Sequence, residues 1–129
     1  MNPNPPTPPT SEESQSLQLA RGFLGRTVDL TIDRPYGSAH PVHGFRYLAN
    51  YGFVPSTLAP DGDELDAYYL GKPEPMDTAS GTCVAIIHRI DDDDDKLVVI
   101  PTGTAPPDDD AIASAVEFQE IAGRYRILR

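Results

Sequence analysis

Among its 129 residues the chain has no tryptophan and one cysteine, Cys83. A lone thiol excludes an internal disulfide and a metal site built from several thiolates, and it fits a reducing compartment. Basic residues are scarce: 10 Lys and Arg stand against 20 Asp and Glu, a formal net charge of -10. Such a field repels nucleic acid and anionic membranes. No apolar run approaches the roughly 20 residues of a membrane helix. The first fifteen residues lack both the basic start and the apolar stretch of a signal peptide. These absences predict a soluble, cytoplasmic protein with neither membrane nor nucleic acid as partner.

Proline is plentiful. Five of the 14 prolines lie in "MNPNPPTPPT", residues 1–10, which carries no charge and little apolar surface to bury. That composition predicts a disordered tail. Thr10 and Glu13 fit a helix capping box, and Leu17, Ala20, Arg21 and Leu24 are spaced for one helical face, so 11–25 is read as a short helix ended by Gly22 and Gly25. Residues 26–129 form the main domain.

Within it, "RTVDLTID" (26–33) alternates Val28, Leu30 and Ile32 against polar neighbours, the period of a half-buried strand. "FRYLANYGFVP" reads as extended, and "LDAYYLG" (65–71) as a further strand. "KPEPMDTASG" reads as a loop. "TCVAIIHRI" (82–90) and "KLVVIP" (96–101) flank "DDDDD" as a hairpin. Pro106, Pro107 and Asp108 to Asp110 predict a helix start, continued by Ile112, Ala115, Val116, Phe118 and Gln119 and stopped at Gly123. Strands followed by a helix, without β-α alternation, predict an α+β fold: a small antiparallel β-barrel, OB-like, with a C-terminal helix packed on it.

"LAPDGDELDAYYLG" (58–71) crowds Asp61, Asp63 and Asp66 around a turn, although each carboxylate makes its neighbour harder to ionise. Gly62 can bend the chain so that all three converge. By itself the stretch is equally an acidic surface turn. An EF-hand loop fails, because its required glycine would be Asp66 and its closing glutamate Lys72. An aspartyl-phosphate site fails for want of an apolar parallel strand before it. A magnesium site suits the pattern, since hard cations take carboxylate oxygens. The aspartates 91–95 read either as a second such cluster or as a solvated hairpin tip.

"ANYGFVPSTLAPDGDELDAYYLG" resembles the signature of soluble inorganic pyrophosphatases, N-Y-G-[FY]-[IV]-P followed by D-G-D-x-[LIV]-D. "DDDDDKLVVIP" resembles that family's second acidic hairpin, and "TIDRPYGS" its opening strand. The three segments keep the family's order across residues 28–101. The resemblance implies hydrolysis of inorganic pyrophosphate to two phosphates by a metal-activated water, with Mg2+, or Mn2+ in its place, as cofactor. It assigns Asp61 and Asp66 to metal binding and Asp63 to metal binding and general-base work. It assigns Asp91, Asp94 and Asp33 to further metal contacts, Lys96 to phosphate, and Tyr51 to a hydroxyl facing the site. Family members assemble as dimers or hexamers, so a homo-oligomer is a further expectation.

The chain also departs from the family pattern. A hairpin bearing Lys, Glu and Arg is missing between Ser38 and Asn50, which leaves Arg34 and Arg46 as the expected substitute cations. His40 and His43 are assigned to the turn or surface. Ile121 and Ala122 stand where the family carries a Tyr-Lys pair, with Arg124, Tyr125 and Arg126 slightly beyond. His88 and Cys83 are read as core or edge residues. The competing reading is a non-catalytic relative that binds metal, phosphate or another protein, or a hydrolase of another phosphoanhydride.

Overall fold

The computed structural model describes residues 15–55, 57, 64–91 and 94–129. The proline-rich tail, Asp61 and Asp63 lie outside the described residues. Helix α1 (Gln15–Arg21) buries Leu17 and Ala20. Strands β1 (Thr27–Arg34), β2 (Asn50–Val54), β3 (Leu65–Tyr69), β4 (Thr78–Arg89) and β5 (Lys96–Ile100) follow, then helix α2 (Asp109–Val116) and strand β6 (Tyr125–Leu128). No described helix is long and apolar enough to cross a membrane.

The strands pair in the order β1-β2-β3-β5-β4, and β4 pairs back onto β1, so five strands close into a barrel. This is the expected α+β, OB-like architecture. One seam goes beyond what strand order specified: β3 and β5 run parallel, with Asp66 opposite Lys96, while the other pairs are antiparallel. β4 supplies the return path that a parallel pair needs. It is also longer than its apolar stretch, beginning at Thr78 inside the segment read as a loop. Residues 78–82 are held there by pairing with β1, a tertiary partner that local composition does not reveal.

β6 adds to the outer part of β4, pairing Arg89 with Tyr125 and Ile86 with Leu128. Helix α2 starts as predicted, with the Asp108 carboxylate accepting the Ala111 N–H at 2.8 Å and Asp109 and Asp110 in the first turn. It ends at Val116, well before Gly123, and the chain then turns so that residues 117–120 return toward the barrel.

Two buried clusters result. Val28, Leu30 and Ile32 of β1, Val54, Leu65, Ala67, Tyr69, Cys83, Ile86, Leu97 and Val99 fill the barrel, and Leu17 and Ala20 of α1 join them. On the other side of the same wall, Tyr68, Leu70, Ala85, Ile87, Val98 and Ile100 pack against Ile112 and Val116 of α2. β5 is therefore buried on both faces, which explains its unbroken apolar run. Gly52 marks the tightest approach of β1 and β2, since a Cβ there would lie 1.9 Å from the Thr31 carbonyl oxygen.

Candidate active site

Asn50, first residue of the N-Y-G segment, is fully buried and saturated. Its Oδ1 accepts from the Tyr36 and Met76 amides (2.9 and 3.2 Å), and its Nδ2 donates to the Lys72 and Glu74 carbonyls (3.1 and 2.8 Å). It ties the end of β1 to the β3–β4 loop and so fixes the start of β2. The next residue, Tyr51, faces the outer side of the barrel beside Tyr68 of β3.

The β1–β2 pairing shifts register between Ile32 and Arg34, leaving Asp33 as the extra residue of a bulge. In a regular strand Asp33 and Arg34 would point to opposite faces; the bulge lets both line one cavity. That cavity, about 470 Å3, is also lined by Tyr51, Asp66, Asp94 and Lys96, so six of the expected site residues come together. The parallel seam sets Asp66 beside Lys96.

Arg46 and Asp91, also expected at the site, are not among the residues that line this cavity. Arg46 is exposed and donates to the Gly37 carbonyl at 2.8 Å, bracing the 38–49 link. Asp91 pairs with Arg124. The aspartate run thus splits: Asp91 pairs outward, Asp94 faces the cavity, and Asp95 is buried, accepting from the Arg89 amide at 3.2 Å and lying 2.7 Å from His88 Nδ1. The Asp95 amide donates to Ser16 Oγ at 3.3 Å, which pins α1 to the hairpin.

Other lining residues were unanticipated or differently assigned. His40, His43 and Tyr47 come from the shortened link, Arg89 from the end of β4, and Gln119 from the turn after α2. Behind them Glu120, 4% exposed, accepts from Lys96 Nζ at 2.7 Å and from the Tyr68 hydroxyl at 2.6 Å, and lies 3.6 Å from Arg89. Gln119 donates to the Tyr68 hydroxyl at 2.6 Å. Asp94 lies 3.5 Å from Arg89 and 3.8 Å from Lys96. The Lys96 ammonium sits 5.2 Å from the Tyr51 ring centre and 5.7 Å from that of Tyr68. Glu120 had no signal beyond its place in "FQE" near a helix end.

Burial first, then repulsion by Asp94, pushes the Asp66 carboxyl up to about 6; the Tyr51 hydrogen bond and Lys96 pull it back, and Asp33 raises it again. Burial and Asp66 together hold the Tyr51 hydroxyl well above its ordinary value, so it stays a donor. Among the described residues no three His, Cys, Asp or Glu side chains converge closely enough to enclose an ion. Asp33, Asp66 and Asp94 nonetheless share one cavity, and Asp94 and Asp33 both add to the cost of ionising Asp66, a penalty that a cation would relieve.

The family model described as inorganic pyrophosphatase matches residues 28–124. A curated inorganic pyrophosphatase from Ralstonia nicotianae is 54% identical over 37 residues, 29% of this chain and 18% of that protein. The inorganic pyrophosphatase structure from Helicobacter pylori aligns with a TM-score of 0.55 at 17% identity, covering 79% of this chain and 81% of that one. The one from Ehrlichia chaffeensis aligns at 0.52 and 21%, covering 61% and 62%. These two likenesses are of fold. The chain spans less than two thirds of the Ralstonia and Ehrlichia proteins.

Proposed function

The chain belongs to the inorganic pyrophosphatase family, and from that premise we propose that it hydrolyses inorganic pyrophosphate to two phosphates in the cytoplasm, with magnesium as its divalent cation. One observation supports this reading above the others: Asp33, Asp66 and Asp94 line a single cavity together with Arg34, Arg89 and Lys96. A highly charged anion enters an acidic protein when cations stand between the two sets of negative oxygens.

In this reading Asp33, Asp66 and Asp94, together with Asp61 and Asp63 as the family resemblance assigns, would hold the magnesium ions. Bound there, the ions supply charge neutralisation and a water of lowered pKa. Asp63 takes the proton from the attacking water, as the family resemblance assigns. The Tyr51 hydroxyl keeps its proton and donates a hydrogen bond to Asp66, orienting that carboxylate. Arg34 and Arg89 meet the phosphate oxygens. Lys96 adds positive potential from the cavity wall, where Glu120 fixes its ammonium. Because the Asp66 carboxyl is pushed up to about 6, protons compete with the cation below that pH, and metal affinity rises as pH increases through it.

The test is phosphate release from pyrophosphate with and without magnesium, for the wild type, Asp63→Asn and Asp66→Asn. We expect metal-dependent release in the wild type and a loss of about 10² to 10⁴ in Asp63→Asn. No release with either magnesium or manganese would leave the non-catalytic relative and the hydrolase of another phosphoanhydride as the remaining readings.

A further inference from the structure

The link between β1 and β2 folds into a tight turn of its own. The His40 amide donates to the Phe45 carbonyl at 2.7 Å, the Gly44 amide donates to the His40 carbonyl at 3.1 Å, and Gly44 adopts φ 76°, a conformation that favours glycine. The turn places the His40 ring 4.8 Å from Phe45 and 6.1 Å from Tyr47, nearly parallel to the latter. Tyr47 is buried, and Arg34 is near enough to act on its hydroxyl. His40, Tyr47 and Arg34 therefore form one wall of the cavity that holds Asp33, Asp66 and Asp94.

The turn also sets the protonation of that wall. His40 Nδ1 accepts from two backbone amides, Val42 at 3.1 Å and His43 at 3.0 Å. A ring nitrogen that accepts two hydrogen bonds carries no proton, so the single proton of the neutral imidazole sits on Nε2. Among the described residues Nε2 has no hydrogen-bond partner. Partial desolvation, then the nearby His43 and Arg34, lowers the His40 pKa, in keeping with a neutral ring.

We propose that His40 is a substrate-binding residue whose Nε2–H donates to a phosphoryl oxygen beside Arg34, a role taken in this chain by a histidine of the shortened link. The assignment rests on the pyrophosphatase reading and adds a contact to it. A neutral donor suits this position: it binds a phosphoryl oxygen without becoming a second cation next to Arg34.

Two substitutions separate the donor from the turn. In His40→Asn the amide oxygen can replace Nδ1 as acceptor for the two backbone amides, while the donor at the Nε2 position is lost. In His40→Gln the amide nitrogen reaches toward the Nε2 position and keeps a donor there. Binding of imidodiphosphate and of inorganic phosphate, each with magnesium, is measured by calorimetry, alongside phosphate release and thermal melting. We expect His40→Asn to weaken imidodiphosphate binding about 10-fold or more, the loss of a hydrogen bond to a charged group, with unchanged melting. His40→Gln should stay within about threefold of wild type. Any result in which Gln fails to hold the affinity better than Asn overturns the role and leaves His40 as a turn anchor. Wild-type hydrolysis in that case leaves the pyrophosphatase reading standing. A wild type that binds neither anion and releases no phosphate removes both.

Discussion

β3 and β5 each present two buried faces, and the two are buried by different means. Inward, Leu65, Ala67, Tyr69, Leu97 and Val99 meet other apolar side chains from all around the barrel. Outward, Tyr68, Val98 and Ile100 begin an apolar layer under α2, but toward the cavity the same face carries Asp66 and Lys96. Leu97 and Lys96 are neighbours and almost equally inaccessible, at 0% and 3% exposure. Many interchangeable dispersion contacts hold the first. The second is held by charged and aromatic partners: Glu120, arriving from beyond α2, at 2.7 Å, Asp94 at 3.8 Å, and the rings of Tyr51 and Tyr68. Equal burial therefore conceals unequal fragility: the inner face loses stability by degrees, whereas the outer face depends on a few specific charge pairings.

The sharpest way to break this comparison is Glu120→Gln, which removes the nearest countercharge of the buried Lys96 ammonium. We expect a loss of about 3 to 5 kcal/mol in denaturant unfolding; a loss no larger than that of an inner-face truncation would show the two faces to be alike. Next comes Asn50→Ala, which removes four hydrogen bonds at the root of the cavity and should cost about 2 to 3 kcal/mol by the same measurement.

The raised Asp66 carboxyl gives a third test on the chelated protein. Its folded-state value exceeds its unfolded one, so the folded state holds the extra proton between about pH 4 and 6. Stability then falls as pH rises through that window, by up to about 2 kcal/mol, and Asp66→Asn abolishes this slope. On the inner face, Ile86→Val should cost about 1 kcal/mol. Smallest of all, Arg124→Ala breaks an exposed ion pair with Asp91 and should change stability by about 0.5 kcal/mol or less.

The inner face was legible in the sequence because alternation encodes it: Val28, Leu30 and Ile32 read as one side of a strand and lie inside the barrel. The start of β4 was not, because Thr78, Ala79 and Ser80 have no apolar rhythm and are extended only by their pairing with β1. Among the residues lining the cavity, Asp33, Tyr51, Asp66, Asp94 and Lys96 were legible because short motifs carry them, and Arg34 as a cation next to Asp33 in a chain that lacks the family's basic hairpin. Arg89, Gln119 and Glu120 belong to no motif, and the return of the chain after α2 brings the last two to Tyr68 and Lys96. His40 and His43 were expected in a turn or at the surface, and they lie in the tight turn of the 38–49 link. That the turn faces the cavity depends on where the rest of the fold sets it, which spacing within "GSAHPVHG" does not encode.

The two seams that close the barrel also bear on how quickly it can form. β3 meets β5 through residues thirty positions apart, as in Asp66 and Lys96, and β1 meets β4 through more distant partners such as Thr27 and Thr82. Neither closure rewards the chain until a long loop has been gathered in, so this small domain belongs with the slow folders of its size, on the scale of milliseconds to seconds rather than microseconds.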